Sequence, residues 1–281
     1  MKDRLDKVVL ITGAGGGIGA AVAAALHRRG ASIVLVDVPA TDLERVSAQL
    51  GHSRVAIVRA DVTSREQLDN AVATAIEQFG RLDIVIANAG ISSGARASTI
   101  RSVDDGVFER VIGVNLTGVW NTVRASLPHI VDSGGYILLT ASTYAYVNGM
   151  ANAPYAASKA AVEQLGRALR AELAGTDATA GVLYPGWVST PIADVAFGGD
   201  EIATALVARA FPAPIRRPIS TEKLARATVR GIERRAARIQ VPGRWIPYSL
   251  LRGIINPLSD IILERDAEIA RLTAELDGRR T

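Results

Sequence analysis

Tyr155-Ala156-Ala157-Ser158-Lys159 is the stretch of this sequence best suited to moving a proton. A spacing of four puts the phenol and the ammonium on one helix face, a turn apart. A neighbouring ammonium stabilises phenolate, so the pair is expected to lower the tyrosine pKa. An acid or base with a pKa nearer neutral transfers protons more readily at physiological pH. Lysine occurs only at 2, 7, 159 and 223, since surface cations here are almost always arginine, which sets Lys159 apart. Ser142 lies thirteen residues before Tyr155, just past an apolar run. Its hydroxyl could hold a substrate oxygen beside the phenol. By itself a Tyr-x-x-x-Lys pair is equally a surface pair, so the reading needs a binding site near it.

The sequence supplies one. Thr12-Gly13-Ala14-Gly15-Gly16-Gly17-Ile18-Gly19 follows an apolar strand and opens an Ala-rich helix. Gly13, Gly15, Gly17 and Gly19 let the backbone turn tightly and approach a pyrophosphate. The helix start, including Ile18, offers free N–H groups and a positive dipole end. Asp37 closes the second strand, twenty positions after Gly17. An acidic residue there bonds the ribose hydroxyls of a dinucleotide and repels a 2′-phosphate. With no Arg or Lys at 16 or 38, NAD is favoured over NADP. Asp61, in Asp61-Val62-Thr63, could accept from an adenine amino group or simply fix a turn.

These groups need a scaffold. Apolar runs at 8–11, 32–36, 55–59, 84–87, 136–140 and 181–184 read as strands, with a seventh at 238–241. They are nearly continuous rather than alternating, as expected for parallel strands buried on both faces. Helical patterns at 17–29, 41–50, 64–79, 104–131, 153–174 and 221–236 lie between them. The alternation predicts a Rossmann-type, doubly wound α/β sheet of about seven parallel strands with helices on both faces, plus a C-terminal helical extension. Residues 1–244 are expected to form the catalytic domain, with a proline-rich lid at about 190–220, and 245–281 a helical tail.

The pieces together resemble the short-chain dehydrogenase/reductase family in its NAD-dependent type. They are Thr12-Gly-x-x-x-Gly17-x-Gly19, Asn88-Ala89-Gly90, Asn115, Ser142, Tyr155-x-x-x-Lys159 and Pro185-Gly186, in family order over about residues 6–242. The resemblance implies hydride transfer between NAD(H) and a secondary alcohol or ketone. Tyr155 would be the acid or base, Ser142 would orient the oxygen, and Lys159 would bond the nicotinamide ribose. Asn115 would hold a water linking Lys159 to solvent. Asn88, Ala89 and Gly90 would support the central strands beside the adenosine half, with Asp61 and Val62 also bordering the cofactor. Pro185 and Gly186 would wrap the nicotinamide, with Val188 and Thr190 bonding its carboxamide. The resemblance also implies a homodimer or homotetramer paired through the long helices.

Segments 92–98, 143–150 and 190–218 are expected to line the substrate pocket with Tyr144, Tyr146, Val147, Met150, Trp187, Ile192, Val195 and Phe197. An apolar, aromatic set suits a lipophilic steroid-, terpenoid- or fatty-type small molecule. In the tail, Leu250, Leu251, Ile254, Ile255, Leu258, Ile261 and Ile262 recur at helical spacing, with Pro257 expected to kink or restart the helix. Packing onto the pocket or another subunit is favoured there over peripheral contact with a membrane. Residues 264–280 read as a solvated helix end.

Composition narrows the alternatives. The 281 residues are 48% hydrophobic and 21% charged, with a net charge of +4, enough for a sizeable core. With no cysteine, disulfides, thiol nucleophiles and cysteine-bound metal are out, and no metal site is expected. The start of the chain does not read as a signal peptide, no run reads as a membrane span, and no basic run interleaves with aromatics as nucleic-acid binding would require. A cytoplasmic protein is expected. The rival reading is a nucleotide-sensing module of the same fold that has lost catalysis, but such a protein should lack one of Tyr155, Lys159 and Ser142.

Overall fold

A computed structural model describes residues 5–194 and 198–279, with Pro191 and Ile192 described by their backbone alone. Seven strands form one parallel sheet in the order β3-β2-β1-β4-β5-β6-β7. They are β1 (Val8–Thr12), β2 (Ser32–Asp37), β3 (Val55–Arg59), β4 (Ile84–Ala87), β5 (Tyr136–Thr140), β6 (Thr179–Pro185) and β7 (Arg238–Val241). The near-continuous apolar runs are explained by burial on both faces. In β1, Val8 and Leu10 point into one core and Val9 and Ile11 into the other. The strand order reverses between β1 and β4. In open α/β sheets that switch opens a crevice at the strand C-terminal ends.

Helices α1 (Gly17–Arg28), α2 (Leu43–Leu50), α3 (Arg65–Phe79), α4 (Val107–Ile112), α5 (Gly118–Asp132) and α6 (Ala153–Glu172) follow in chain order. The turn α7 (Pro191–Asp194), α8 (Glu201–Ala210), the turn α9 (Ala213–Arg216) and α10 (Thr221–Glu233) lead to β7. Local sequence sets many of the ends. Ser64 caps α3 by accepting from the Gln67 N–H, and Gly80 ends it in the left-handed conformation.

Three expectations are corrected. The helix expected over 104–131 is interrupted by a π-helical turn, Gly113–Thr117. The extra residue per turn swings Asn115 inward, where its side chain bonds the Ile91 backbone, so a tertiary contact overrides the 3.6-residue period. Helix α11 (Ile246–Arg265) continues through Pro257, so the restart expected there does not occur. The carbonyl that Pro257 deprives of its donor belongs to Gly253, which is exposed and so accessible to solvent.

The third correction concerns the end of the chain. Helix α12 (Ala267–Gly278) is no solvated end: Ile269, Leu272 and Leu276 are buried against Ile202 and Leu206 of α8. Asp200, its carboxylate 2% exposed, caps α8 through the Ile202 and Ala203 N–H groups and accepts from Ala97 N–H and from Arg279 at 2.6 Å. Burial alone would raise the Asp200 carboxyl, but Arg279 and the amides of Ala203 and Ala97 outweigh it and hold it below its ordinary value. The charged residues of 264–280 make that stretch look solvated, and its apolar partners lie some seventy residues away in sequence. Replacing Arg279 by Ala should therefore loosen α8. Hydrogen exchange of the α8 amides is expected to accelerate at least about tenfold, with β1 and β4 unchanged.

Candidate active site

A crevice of about 560 Å³ opens at the C-terminal ends of the central strands, from the glycine turn to α8. At one end, Gly13, Gly15, Gly17 and Ile18 form its wall. Gly13 has φ +67°, and a Cβ there would come within 2.8 Å of the Ala89 backbone. A Cβ on Gly16 would meet nothing within 4 Å, so that face of the turn is open. The first-turn N–H groups of α1 have no intrahelical partners, and Gly16 brings no side chain to cap them. An open, glycine-bare helix start of this kind is shaped for a pyrophosphate. Gly19 sits elsewhere: a Cβ on it would fall 2.0 Å from the Gly13 carbonyl, so it serves the close packing of helix on strand.

Asp37 reaches the crevice from the tip of β2. Its carboxylate accepts from Gly15 N–H at 2.8 Å and Val38 N–H at 2.8 Å, which fixes it beside the glycine turn. Asp61 and Val62 also line the crevice. One Asp61 oxygen accepts from the Thr63 N–H and hydroxyl, so the turn role foreseen for it is present, and its position still faces the cavity. Asn88, Ala89 and Gly90 border the crevice from the end of β4. The Asn88 side chain donates to the carbonyls of Thr12 and Gly13, and the N–H groups of Asn88 and Ala89 donate to the Thr12 hydroxyl. Thr12 thus stitches β1 to β4 below the glycine turn. Its motif position was visible in the sequence, but this pairing was not.

Ser142, Tyr155 and Lys159 converge on the same crevice. Ser142 follows β5 and opens a short 3-10 turn, Thr143–Ala145. Tyr155 lies in the first turn of α6, where Pro154 sits at a position that needs no donor. The Ser142 hydroxyl lies on the same wall and acts to lower the pKa of the phenol. Lys159, one turn on, is 3% exposed; its Nζ donates to the Thr140 carbonyl at 3.0 Å and lies 5.6 Å from the Tyr155 ring centroid. Tyr144 packs edge-on against Tyr155 with ring centroids 5.7 Å apart.

The electrostatics differ from the expectation. Burial drives the phenol of Tyr155 above its ordinary value, and the Ser142 hydrogen bond is what pulls it down. Burial also lowers Lys159 to about 8, which weakens the very charge that was expected to acidify Tyr155. Asn115 is fully buried behind Gly90 and does not line the crevice. Its amide donates to Ile91 carbonyl and Ser158 hydroxyl, and Ser158 in turn donates to the Tyr155 carbonyl. A Cβ on Gly90 would lie 3.3 Å from both Asn115 Oδ1 and Lys159 Nζ, so the missing side chain lets the two approach.

Pro185, Gly186, Val188 and Thr190 form the opposite wall, and Thr190 stands 3.5 Å from where a Gly17 Cβ would be. On the substrate side, Tyr144, Met150 and Trp187 line the cavity. Tyr146 and Val147 do not: both are buried in the core, with Tyr146 in an aromatic cluster with Tyr184, Trp245 and Tyr248. Val195 and Phe197 lie outside the described residues, and only the backbone of Ile192 is described. The sequence reading missed the face of α8, where Ala203, Leu206 and Val207, followed by Phe211, complete the wall. Their 3–4 residue spacing was the available signal.

The chain belongs to the short-chain dehydrogenase family, whose model matches residues 7–198. It is therefore of an oxidoreductase family. An uncharacterized oxidoreductase of Staphylococcus aureus is 37% identical over 188 residues, covering 66% of this chain and 80% of that protein. A short-chain dehydrogenase/reductase from Burkholderia phymatum, solved with NAD, is 28% identical with a TM-score of 0.77, covering 95% of this chain and 98% of its own. Carveol dehydrogenase from Mycobacterium avium, also solved with NAD, is 27% identical with a TM-score of 0.74, covering 85% and 98%.

Burying Lys159 has a pH signature. Its pKa falls from 10.5 unfolded to about 8 folded, so the folded state binds fewer protons between those values. The penalty is complete below pH 8 and is relieved as pH rises toward 10.5. It amounts to about 3 kcal/mol, less roughly 1 kcal/mol for the bond to Thr140. Lys159→Met should therefore stabilise the unliganded protein by about 1–3 kcal/mol at pH 7, a gain that shrinks above pH 8 in urea titrations.

Proposed function

We propose that this protein transfers a hydride between NAD(H) and a secondary alcohol or ketone, with Ser142, Tyr155 and Lys159 handling substrate oxygen and proton. The observation that carries the reading is the convergence of these three side chains on the crevice wall. The catalytic unit would be residues 1–244, with the lid at 190–220 and the tail 245–281 closing its substrate end.

The nicotinamide ring, when bound, supplies the hydride acceptor or donor. The chain supplies the rest. The glycine turn and α1 N-terminus hold the pyrophosphate, and Asp37 takes the adenosine ribose hydroxyls. Val188 and Thr190 fix the carboxamide side. Ser142 holds the substrate oxygen against Tyr155, which accepts the alcohol proton in oxidation and donates it in reduction. Lys159 offers its remaining donors to the second ribose and a positive charge to the phenolate. Its amine, poised near neutrality, is then suited to pass the proton onward past Asn115 toward solvent. Tyr155 is held high without ligands, so the base form must gain its stabilisation from the closed complex, where water is excluded and the ammonium acts through a low dielectric.

The walls of α8, Tyr144, Met150 and Trp187 are apolar and favour a lipophilic substrate, whether steroid-, terpenoid- or fatty-type. A homodimer or homotetramer is the assembly we propose, in line with the family resemblance.

Tyr155→Phe should lower kcat by about 10²–10⁴-fold on any secondary alcohol found to be oxidised, while NAD still quenches tryptophan fluorescence with an unchanged Kd. Retained turnover would refute the role. Asp37 should give NAD at least about a hundredfold advantage over NADP in kcat/KM, because a 2′-phosphate meets a carboxylate held in place by two amides. Asp37→Ser should shrink that ratio about tenfold or more; an unchanged ratio would remove Asp37 from cofactor choice.

A further inference from the structure

Helix α11 is inside-out. Its polar residues face the protein: Ser249 accepts from Arg238, Arg252 pairs with buried Glu163 at 2.9 Å, Asn256 donates to the Tyr146 carbonyl, and Asp260 accepts from Asn148. Its aliphatic residues face outward. Ile246, Leu250, Leu251, Ile254, Leu258, Ile261 and Ile262 are each 45–69% exposed. At about 100° per residue they fill an arc of roughly 160°, extended over about 24 Å. A surface helix in water carries the opposite arrangement, and an apolar patch of this extent marks an interaction surface.

The geometry points to an anionic lipid bilayer as the occupant of this face, with α11 lying in the membrane interface and its aliphatic arc immersed. Charge at the two ends supports a bilayer. Arg244 precedes the helix, and its side chain bonds the Arg217 carbonyl; burial first, then the Arg217 charge, lowers its pKa, so two cations crowd together there. Arg265 ends the helix. None of these three makes an ion pair with a carboxylate among the described residues, whereas Arg252 and Arg271 do. Glu264 is the acid at the rim of the arc, beside Arg265. Width is the second argument. Two helices packing together bury a narrow seam, leaving the flanks of a 160° arc wet, whereas a bilayer covers all of it. No described helix is long and apolar enough to cross a membrane, so α11 would lie on the surface. On its protein-facing side α11 reaches Asn148, which lines the crevice, through Asp260, and the α8–α12 cluster through Leu263. The inference stands on surface chemistry and does not depend on hydride transfer.

The test is co-sedimentation of the full chain with phosphatidylcholine–phosphatidylglycerol vesicles and with phosphatidylcholine vesicles alone, at low and high salt. Binding to the mixed vesicles is expected, reduced by salt and about tenfold weaker on phosphatidylcholine alone. The triple variant Leu250→Glu, Ile254→Glu, Leu258→Glu changes exposed positions only, so its circular dichroism and Tm should stay close to wild type while binding falls at least about tenfold. Arg217→Glu should weaken binding about fivefold or more. Failure of the wild type to sediment with anionic vesicles, or undiminished binding by the triple variant, overturns the proposal. A wild type that ignores vesicles but is a dimer by sedimentation velocity, and that the triple variant turns into a monomer, assigns the face to a second copy instead.

Discussion

The burial of the Lys159 ammonium is the constraint on which the rest of the site depends. An amine that is 3% exposed persists only if something holds it there, and its bond to the Thr140 carbonyl does so from the tip of β5. That bond ties α6 to the sheet at the level of Tyr155. Around it, the π-turn aims Asn115 at the Ile91 backbone and at Ser158, and Ser158 fastens the Tyr155 carbonyl. The phenol and the amine are therefore located by three separate elements, β5, the π-turn and α6. This is the rigidity that a proton-transfer site needs.

The same burial explains why the unliganded site is electrostatically quiet. Desolvation raises the phenol and lowers the amine, so both are biased toward their neutral forms. A site of this kind gains reactivity by completion with cofactor and substrate, rather than by a phenol that is acidic at rest. It also explains the apolar walls: a dry cavity strengthens each of the few polar contacts inside it. The C-terminal segment backs those walls. Trp245 is fully buried, with its Nε1 2.6 Å from where a Gly186 Cβ would lie, and α12 clamps α8 from behind. The segment after the sheet is thus packed behind the crevice at both Gly186 and α8.

Much of this was legible in the residues. Strand positions, the glycine turn, Asp37 and the Tyr155–Lys159 spacing depend on local patterning: buried strands are continuously apolar, and a turn around phosphates requires glycine. The less legible features depend on partners distant in sequence. Asn115 looked like a helix residue because nothing local announces a π-turn. Tyr146 looked like pocket lining because an aromatic beside a site reads the same whether it faces the cavity or the core. Residues 264–280 looked solvated because their charges outnumber Ile269, Leu272 and Leu276, which only α8 gives a reason to be buried.

The sequence by itself determined the parallel sheet, the glycine turn and the Tyr155–Lys159 pair on one helix face, since each is encoded within a few tens of residues. Only the tertiary structure decided the charge balance of that pair and the α8 wall. It also decided that α11 turns its polar side inward and its aliphatic side out. Desolvation and packing arise from groups brought together across the whole chain, and no local spacing records which face of a helix the protein will cover.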